Sequence, residues 1–479
     1  MNYSIIAYII GSILKLEAVF MLLPCITALI YHEQSGFSFL ITMFICLIIG
    51  FLLTMKKTGN KVFHAKEGFV TVALSWLILS IAGAAPFVIS GSIPNPVDAL
   101  FETVSGFTTT GSSILSDVEA LSHCMLFWRS FTHWIGGMGV LVFILCLLPL
   151  TGGYHMNLMK AESPGPSVSR LVPKVQSTAK ILYTIYLGMT LLQILLLLIG
   201  KMPLFDTLCI TFGTAGTGGF GIKNSSIADY STYVQVVVTI FMILFGVNFN
   251  VYFLLLTRKF TQAFKNEEVR YYLGIIAFST IVIALNTRHM FQNIGVAFQQ
   301  SAFQVGSIIT TTGFATTDFN QWPAISKTIL VLLMFIGACA GSTGGGFKVS
   351  RLIILCKTAR KELTLCLHPN AVKKVKMDGK MIPHEVVRTT NIFLFVYVLI
   401  FGISVLLISI DNFDLTTNFT AVAATFNNIG PGLERVGPIQ NFGLFSSFSK
   451  CVLIFDMLAG RLEIFPLLVL FKKDTWKKF

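Results

Sequence analysis

The sequence predicts an all-α integral membrane protein in which two leading transmembrane helices precede four copies of a helix, re-entrant loop, helix unit. Three observations carry this prediction. Hydrophobic residues make up 54% of the 479 positions and charged residues only 12%. The apolar residues gather in long runs and not in a 3.6-residue stripe. A Gly/Thr/Asn-rich segment then recurs four times between such runs.

The apolar runs fall at 5–29, 37–54, 68–91, 125–149, 181–200, 233–256, 271–286, 327–340, 390–410 and 450–471. A helix needs roughly 20 residues to cross about 30 Å of hydrocarbon, so about ten spans are expected, with 271–286 and 327–340 short. The first run lacks a basic leading region and continues past the length of a signal core, so it is expected to be retained. Nine cysteines include no CxxC pair and mostly lie inside apolar runs. They are expected to be small buried hydrophobes, without a disulfide framework or a zinc site.

The net charge of +13 could suit a nucleic-acid partner, but the basic residues lie between spans and not on one face, so no nucleic acid is expected. Lys56, Lys57, Lys61 and Lys66 form one group, Lys160, Arg170, Lys174 and Lys180 a second, and Arg258, Lys259, Lys265 and Arg270 a third. The largest runs from Lys348 to Arg388, and Lys472, Lys473, Lys477 and Lys478 close the chain. These segments should face the cytoplasm and the membrane lipids beside it. The intervening loops carry Glu33, Asp98, Glu102, Asp117, Glu119, Asp206, Asp229, Asp318, Asp411, Asp414 and Glu434, and should face outward.

The repeat pattern divides the chain into a two-helix extension over 1–66 and four units over 67–160, 161–265, 266–365 and 366–479. Each unit holds a segment too short to cross the bilayer: Pro96–Ser105, Leu204–Phe212, Asn293–Ile308 and Asp414–Phe426. The loops that follow read Thr108-Thr109-Thr110-Gly111-Ser112, Ala215-Gly216-Thr217-Gly218-Gly219-Phe220, Thr310-Thr311-Thr312-Gly313-Phe314 and Asn427-Asn428-Ile429-Gly430-Pro431. Non-helical backbone at membrane depth is tolerated only where protein buries it or where it lines water. Gly and Thr also serve close helix packing, but four such segments, each after a half-length helix on the acidic side, point to a pseudo-fourfold pore. Backbone carbonyls there would replace a bare cation's hydration shell, and the half-helices would aim their partly negative C-terminal ends at it.

On these residues the chain resembles the membrane subunit of Trk-type potassium uptake systems, within the Trk/Ktr/HKT superfamily. The likeness is specific at Asp98-Ala-Leu-Phe-Glu-Thr-Val-Ser-Gly-Phe-Thr-Thr-Thr-Gly111, at Trp128-Arg-Ser-Phe-Thr-His-Trp-Ile-Gly-Gly-Met-Gly139, at Asn427-Asn-Ile-Gly-Pro-Gly-Leu433, and at Ala161-Glu-Ser-Pro-Gly-Pro166 with Thr178-Ala-Lys-Ile-Leu182 downstream. The resemblance implies K+ as the transported ion with no organic cofactor, a homodimer, and a cytoplasmic nucleotide-binding regulatory partner that gates conduction. It implies a K+ filter of Thr109, Thr110, Gly111, Gly218, Gly219, Thr311, Thr312, Gly313, Asn428, Ile429 and Gly430. Its glycines carry onto Gly111, Gly219, Gly313 and Gly430, although Gly216 and Gly218 offer other registers in the second loop. Glycine in the first position, where some sodium-passing relatives have serine, favours potassium.

The run Gly337-Ala-Cys-Ala-Gly-Ser-Thr-Gly-Gly-Gly346 interrupts an apolar stretch with residues that hold a helix poorly. It is either a packed kink or a functional break. The resemblance implies an intramembrane gate of Gly341, Ser342, Thr343, Gly344, Gly345 and Gly346, contacted by Arg461. Arg461 could otherwise pair with Glu463 or Asp456 inside the last apolar run, where a charge is expensive. Lys15 and Glu17 read as a structural pair or as groups facing a cavity. Asp117, Asp318 and Glu434 could gather cations at the mouth, although Lys223 after the second loop departs from an all-acidic rim.

Gly216-Thr-Gly-Gly-Phe-Gly221 fits a dinucleotide fingerprint in letters, without the surrounding βαβ unit that the fingerprint needs. The glycines of 341–348 lack the Gly-Lys-[Ser/Thr] ending of a phosphate loop. His123 and His133 show no zinc spacing and read as packing or interfacial residues. With no nucleophile–base or metal constellation, an enzyme is not expected. A cation-coupled carrier would show paired midplane acids and inverted repeats, and is the alternative, together with a sodium-permeable member of the same superfamily.

Overall fold

The computed structural model describes residues 1–55, 65–139 and 175–477. Lys56, Lys57, Lys61, Lys160, Arg170, Lys174, Lys478, Cys146, the Ala161–Pro166 motif and the second half of the predicted 125–149 span lie outside them. In chain order the helices are α1 (Tyr3–Phe20), α2 (Leu22–Ile30), α3 (Gly36–Thr54), α4 (Ala65–Ile89), α5 (Pro96–Phe107), α6 (His123–Met138), α7 (Val175–Ile199), α8 (Leu204–Gly216), α9 (Thr232–Phe245) and α10 (Phe249–Leu256). They continue as α11 (Phe260–Phe264), α12 (Glu267–Thr287), α13 (Ile294–Ile309), α14 (Ala324–Ile336), α15 (Val349–Leu367), α16 (His384–Ile408), α17 (Leu415–Phe426), α18 (Ser447–Arg461), α19 (Phe465–Phe471) and α20 (Lys473–Trp476). Among the described residues the sheet is one hairpin, β1 (Lys376–Met377) and β2 (Lys380–Met381).

Among the described residues, six helical stretches are long and apolar enough to cross a membrane: Tyr3–Ile30, Gly36–Thr54, Lys66–Ile89, Thr178–Ile199, Glu267–Met290 and His384–Asp411. Three predicted spans are not single helices. The run 233–256 is α9 and α10, bent by 92° at Gly246, Val247 and Asn248, where Asn248 caps α10 by accepting from the Asn250 N–H. The run 327–340 ends as helix at Ile336, because Gly337 takes a positive φ of 72°. The run 450–471 breaks between Arg461 and Phe465, where Glu463 and Ile464 both have positive φ and Pro466 opens α19.

The two extra helices pack through small residues. A side chain at Gly11 of α1 would meet the Gly50 carbonyl of α3 at 2.8 Å, so the backbones touch where dispersion and not water-driven burial must hold them. The outer face of α3 stays apolar and open at Phe44, Phe51 and Leu52, as a lipid-facing helix requires.

The four short helices α5, α8, α13 and α17 start where the sequence says they should. Asn95, Asn293 and Asp414 accept the first free N–H groups of α5, α13 and α17, and Pro96 sits where a missing N–H is harmless. Each then ends in one repeated form. The residue two before Gly111, Gly219, Gly313 or Gly430 is left-handed: Thr109 at φ 56°, Thr217 at 54°, Thr311 at 58° and Asn428 at 56°. The next N–H turns back onto the helix at 2.8 Å in every copy, as Thr110 to Ser105, Gly218 to Gly213, Thr312 to Ser307 and Ile429 to Ala424. This six-to-one closure stops a helix and sends the chain off its end in a fixed direction.

Candidate functional site

The four loops interlock in a closed ring. A side chain on Gly111 would overlap the carbonyl oxygen of Gly218, one on Gly219 that of Thr312, and one on Gly313 that of Ile429. One on Gly430 would stand 3.0 Å from that of Thr110, which returns to the first loop. All four glycines have positive φ, from 72° to 108°, so both space and backbone demand glycine. The second loop therefore keeps step with the others at Gly219, with Gly218 supplying the carbonyl that Thr110, Thr312 and Ile429 supply elsewhere. Thr217 matches Thr109, Thr311 and Asn428, and is the position that sequence reasoning missed. Its signal was the one polar residue two places before Gly219.

Side chains tie this backbone down. Thr108 and Thr110 share a hydrogen bond of 2.8 Å, and Thr310 and Thr312 one of 2.7 Å. Asn428 donates from Nδ2 to Thr110 Oγ1 and to the Met457 carbonyl, each at 2.9 Å. The Ser112 hydroxyl donates to the Gly430 carbonyl at 2.9 Å. His133 is not mere packing: its ring joins the Gly106 carbonyl to the Phe220 N–H, linking the first two loops. Arg129 and Glu102 form a buried ion pair at 2.7 Å, with the guanidinium over the Phe220 ring. Thr109, Thr110, Thr311, Thr312, Asn428 and Ile429 are fully buried.

A cavity of about 140 Å³ opens on one side of the ring, lined by Gly111, Gly219, Gly313 and Gly430 together. Lys223 lines it, whereas Asp117, Asp318 and Glu434 do not. Asp117 and Asp318 brace loops with their carboxylates, and Glu434 does so with its backbone. A hydrogen bond from Asn224 keeps the Asp117 carboxyl below the ordinary carboxylate range, Asp318 accepts the Asn320 N–H, and the Glu434 N–H donates to Asn320.

The segment 337–346 packs against the third and fourth loops. The Gly345 N–H donates to Thr311 Oγ1 at 2.6 Å, and a side chain at Gly345 would meet the Asn427 carbonyl at 2.6 Å. Its neck is pinched by backbone bonds from Phe347 to Phe335, Lys348 to Ile336 and Val349 to Ala338. Glu268 Oε1 accepts the N–H groups of Ala340 and Ser350, one on each flank. The bend between α9 and α10 also docks here, with Cys339 donating to the Gly246 carbonyl and Phe249 to that of Gly341. Gly341, Ser342, Thr343, Gly344, Gly345 and Gly346 thus form one compact loop.

Arg461 reaches this loop. It donates to the Thr343 carbonyl at 2.9 Å, to the Gly137 carbonyl at 2.8 Å and to the Gly136 carbonyl. Of the two acids considered from sequence, Glu463 bonds Arg351, and Asp456 accepts from Ser404. Lys15 and Glu17 do not pair, since Lys15 donates to Thr54 at 2.5 Å while Glu17 is buried elsewhere. Cys356, Cys366 and Cys451 are exposed, against the expectation for cysteines in general.

A ring of backbone carbonyls, each set against another loop's glycine and opening on a cavity, has the chemistry to bind a monovalent cation stripped of water. Comparisons with known proteins agree in kind. The TrkH family model, described as cation transport protein, matches residues 35–478. The chain is 37% identical to the Trk system potassium uptake protein TrkH of Salmonella typhimurium, covering 100% of both chains. It is 33% identical to TrkG of Escherichia coli, covering 99% of both. The crystal structure of the potassium transporter TrkH from Vibrio parahaemolyticus superposes with a TM-score of 0.89 over 100% of both chains at 33% identity. With its long apolar helices, the protein is a multi-pass protein of the inner membrane. The chain belongs to the TrkH family of cation transport proteins.

Proposed function

We propose that this chain takes up potassium through the opening between the four loops, with Thr109, Thr110, Gly111, Thr217, Gly218, Gly219, Thr311, Thr312, Gly313, Asn428, Ile429 and Gly430 as its filter. The observation that carries this reading is the closed cycle in which each loop's glycine meets the next loop's carbonyl. A cycle of that kind sets carbonyl spacing by backbone contact, which suits selection between ions of equal charge. The segment 341–346 acts as the gate and Arg461 holds it shut, since its charge-assisted bond to the Thr343 carbonyl is among the stronger polar contacts. The assembled transporter is a homodimer bound to a cytoplasmic nucleotide-binding regulator, which the basic segments between spans would attract.

The test is rubidium and sodium tracer flux in proteoliposomes. Gly111→Ser should lower the ratio of K+ or Rb+ flux to Na+ flux, whereas Arg461→Gln and a shortened 341–346 should raise basal flux with the ratio kept. An unchanged ratio in folded Gly111→Ser protein rejects the filter. Unchanged basal flux in both gate variants rejects the gate.

A further inference from the structure

The backbone at Lys348 is a misfit for its residue. Its φ of 81° and ψ of 133° lie where glycine is at home and where a side chain is strained. Three glycines, Gly344, Gly345 and Gly346, stand just before it, yet the strained position carries a long cationic side chain. That side chain is also buried, at 2% exposure. Its ammonium donates to the carbonyl of Gly344, the residue next to Thr343, whose carbonyl holds Arg461. Two protein cations therefore occupy two consecutive carbonyls of one loop.

The same loop touches the ring from the other side, through Gly345 with Thr311 and Asn427. Backbone carbonyls this close to a cation path, with little side-chain cover, are themselves cation ligands. In the state described here the ligand at Gly344 is Lys348. A fixed ammonium at that point has two effects. It fills the slot that a permeating ion would use, and its charge opposes the approach of another cation in a poorly screened site.

We propose that Lys348 is a gating residue in its own right: its ammonium acts as a tethered cation that occupies the Gly344 carbonyl and, with Arg461 on Thr343, closes the path below the ring to potassium. This rests on the reading of 341–346 as the gate. Opening would then require the loop to surrender Lys348 as well as Arg461, and the vacated carbonyls would pass to the transported ion. The surrounding charges fit such a hand-over. Arg351 is neutralised by Glu463 and lies on the Phe393 ring, and Glu268 is engaged with the flanking N–H groups, so neither carboxylate takes a hydrogen bond from the Lys348 ammonium.

The experiment measures basal rubidium flux of the full chain in proteoliposomes for Lys348→Met, Lys348→Gly and Lys348→Arg. The first keeps the aliphatic stem, the second relieves the backbone, and both lack the ammonium. The third keeps the charge. Loss of one charge-assisted bond should raise basal flux about tenfold in the Met and Gly variants, with Rb+/Na+ selectivity unchanged and flux in the Arg variant near wild type. A purely structural role predicts instead that Gly and Met behave differently, or that Arg fails with them, and either result overturns the proposal. Lys348→Gly guards against misfolding, because it removes strain, and monodisperse elution of each variant confirms the fold. Arg461→Gln is measured alongside. Wild-type flux in the Lys348 variants with raised flux in Arg461→Gln rejects this inference alone, whereas wild-type flux in all of them rejects the gate as well.

Discussion

His133 Nε2 accepts the N–H of Phe220 at 3.3 Å, so a helix that follows the first loop holds the residue just past the glycine of the second. The other ring nitrogen, Nδ1, donates to the Gly106 carbonyl at 2.9 Å. This pair of bonds needs the neutral ring with its proton on Nδ1. His133→Ala should therefore loosen two of the four loops together. We expect a loss of about 1–3 kcal/mol from the unmet buried groups, read as a lower melting temperature, with a reduced Rb+/Na+ flux ratio. His133→Gln should fall between.

Residues 216–221 hold four glycines, and the ring geometry separates Gly219 from Gly221. Gly219→Ser would push against the Thr312 carbonyl from a backbone with φ 72°, whereas a side chain at Gly221 meets nothing nearer than 3.3 Å. Gly219→Ser should reduce selectivity as Gly111→Ser does, and Gly221→Ser should not. Equal effects at both positions would show that the register is wrong.

Glu102 and Arg129 are each buried, at 1% and 2% exposure, and the pair also gathers Ser113 and the Ile114 N–H. Removing one member leaves a charge without its partner, at a cost of about 3–5 kcal/mol. Glu102→Gln should lower thermal stability in detergent sharply. Replacing both by apolar residues, as in Glu102→Leu with Arg129→Met, should recover much of that loss. A double variant as unstable as the sum of the singles would mean that the pair matters for something other than its own neutrality.

Glu33 lies outside the membrane spans and caps α6 from a different part of the chain. Burial raises its pKa, but the bonds from the N–H groups of Cys124 and His123 and from the His123 ring outweigh that and lower it from 4.5. A carboxyl depressed on folding adds stability above its unfolded pKa and loses it as pH falls through the folded value. Melting temperature should thus drop as pH falls below about 4.5, and Glu33→Gln should flatten that part of the curve. A wild-type curve identical to that of Glu33→Gln in this range would remove Glu33 from the account.

The starts of the short helices were legible within a residue, because capping residues and composition both mark them, but the second runs on to Gly216, four residues past the expected Phe212. The ring glycines came from the resemblance of the loops to the Trk-type family, with Gly216 and Gly218 left as other registers in the second loop, and it is the backbone, with its positive φ at Gly219, that puts this loop in step with the rest. What escaped was set by contacts distant in sequence. Nothing local separates His133 from a packing histidine; only its place between two loops does so. Asn248 and Gly246 could have flagged the bend in 233–256, but the hydropathy of that run is continuous and a bend changes no composition. Lys348 stood inside a basic group and was counted with it, whereas the fold buries it under the ring. The acids after the loops, Asp117, Asp318 and Glu434, do not line the cavity over the ring, which accords with the reading of them as solvated loop charge.

The ring is made by one polypeptide, so its four quarters carry different residues: Thr110, Gly218, Thr312 and Ile429 present the equivalent carbonyls. In a channel of four identical subunits every substitution enters four times. Here a change enters once, and three quarters of the ring stay as they were. Ion preference in such a protein can be tuned in single graded steps, and mutations that would abolish conduction in a symmetric assembly can survive as intermediates. The repeats are then free to diverge, one quarter of the molecule supplying the Gly-rich loop 341–346 that packs against the ring while the others keep only the ring.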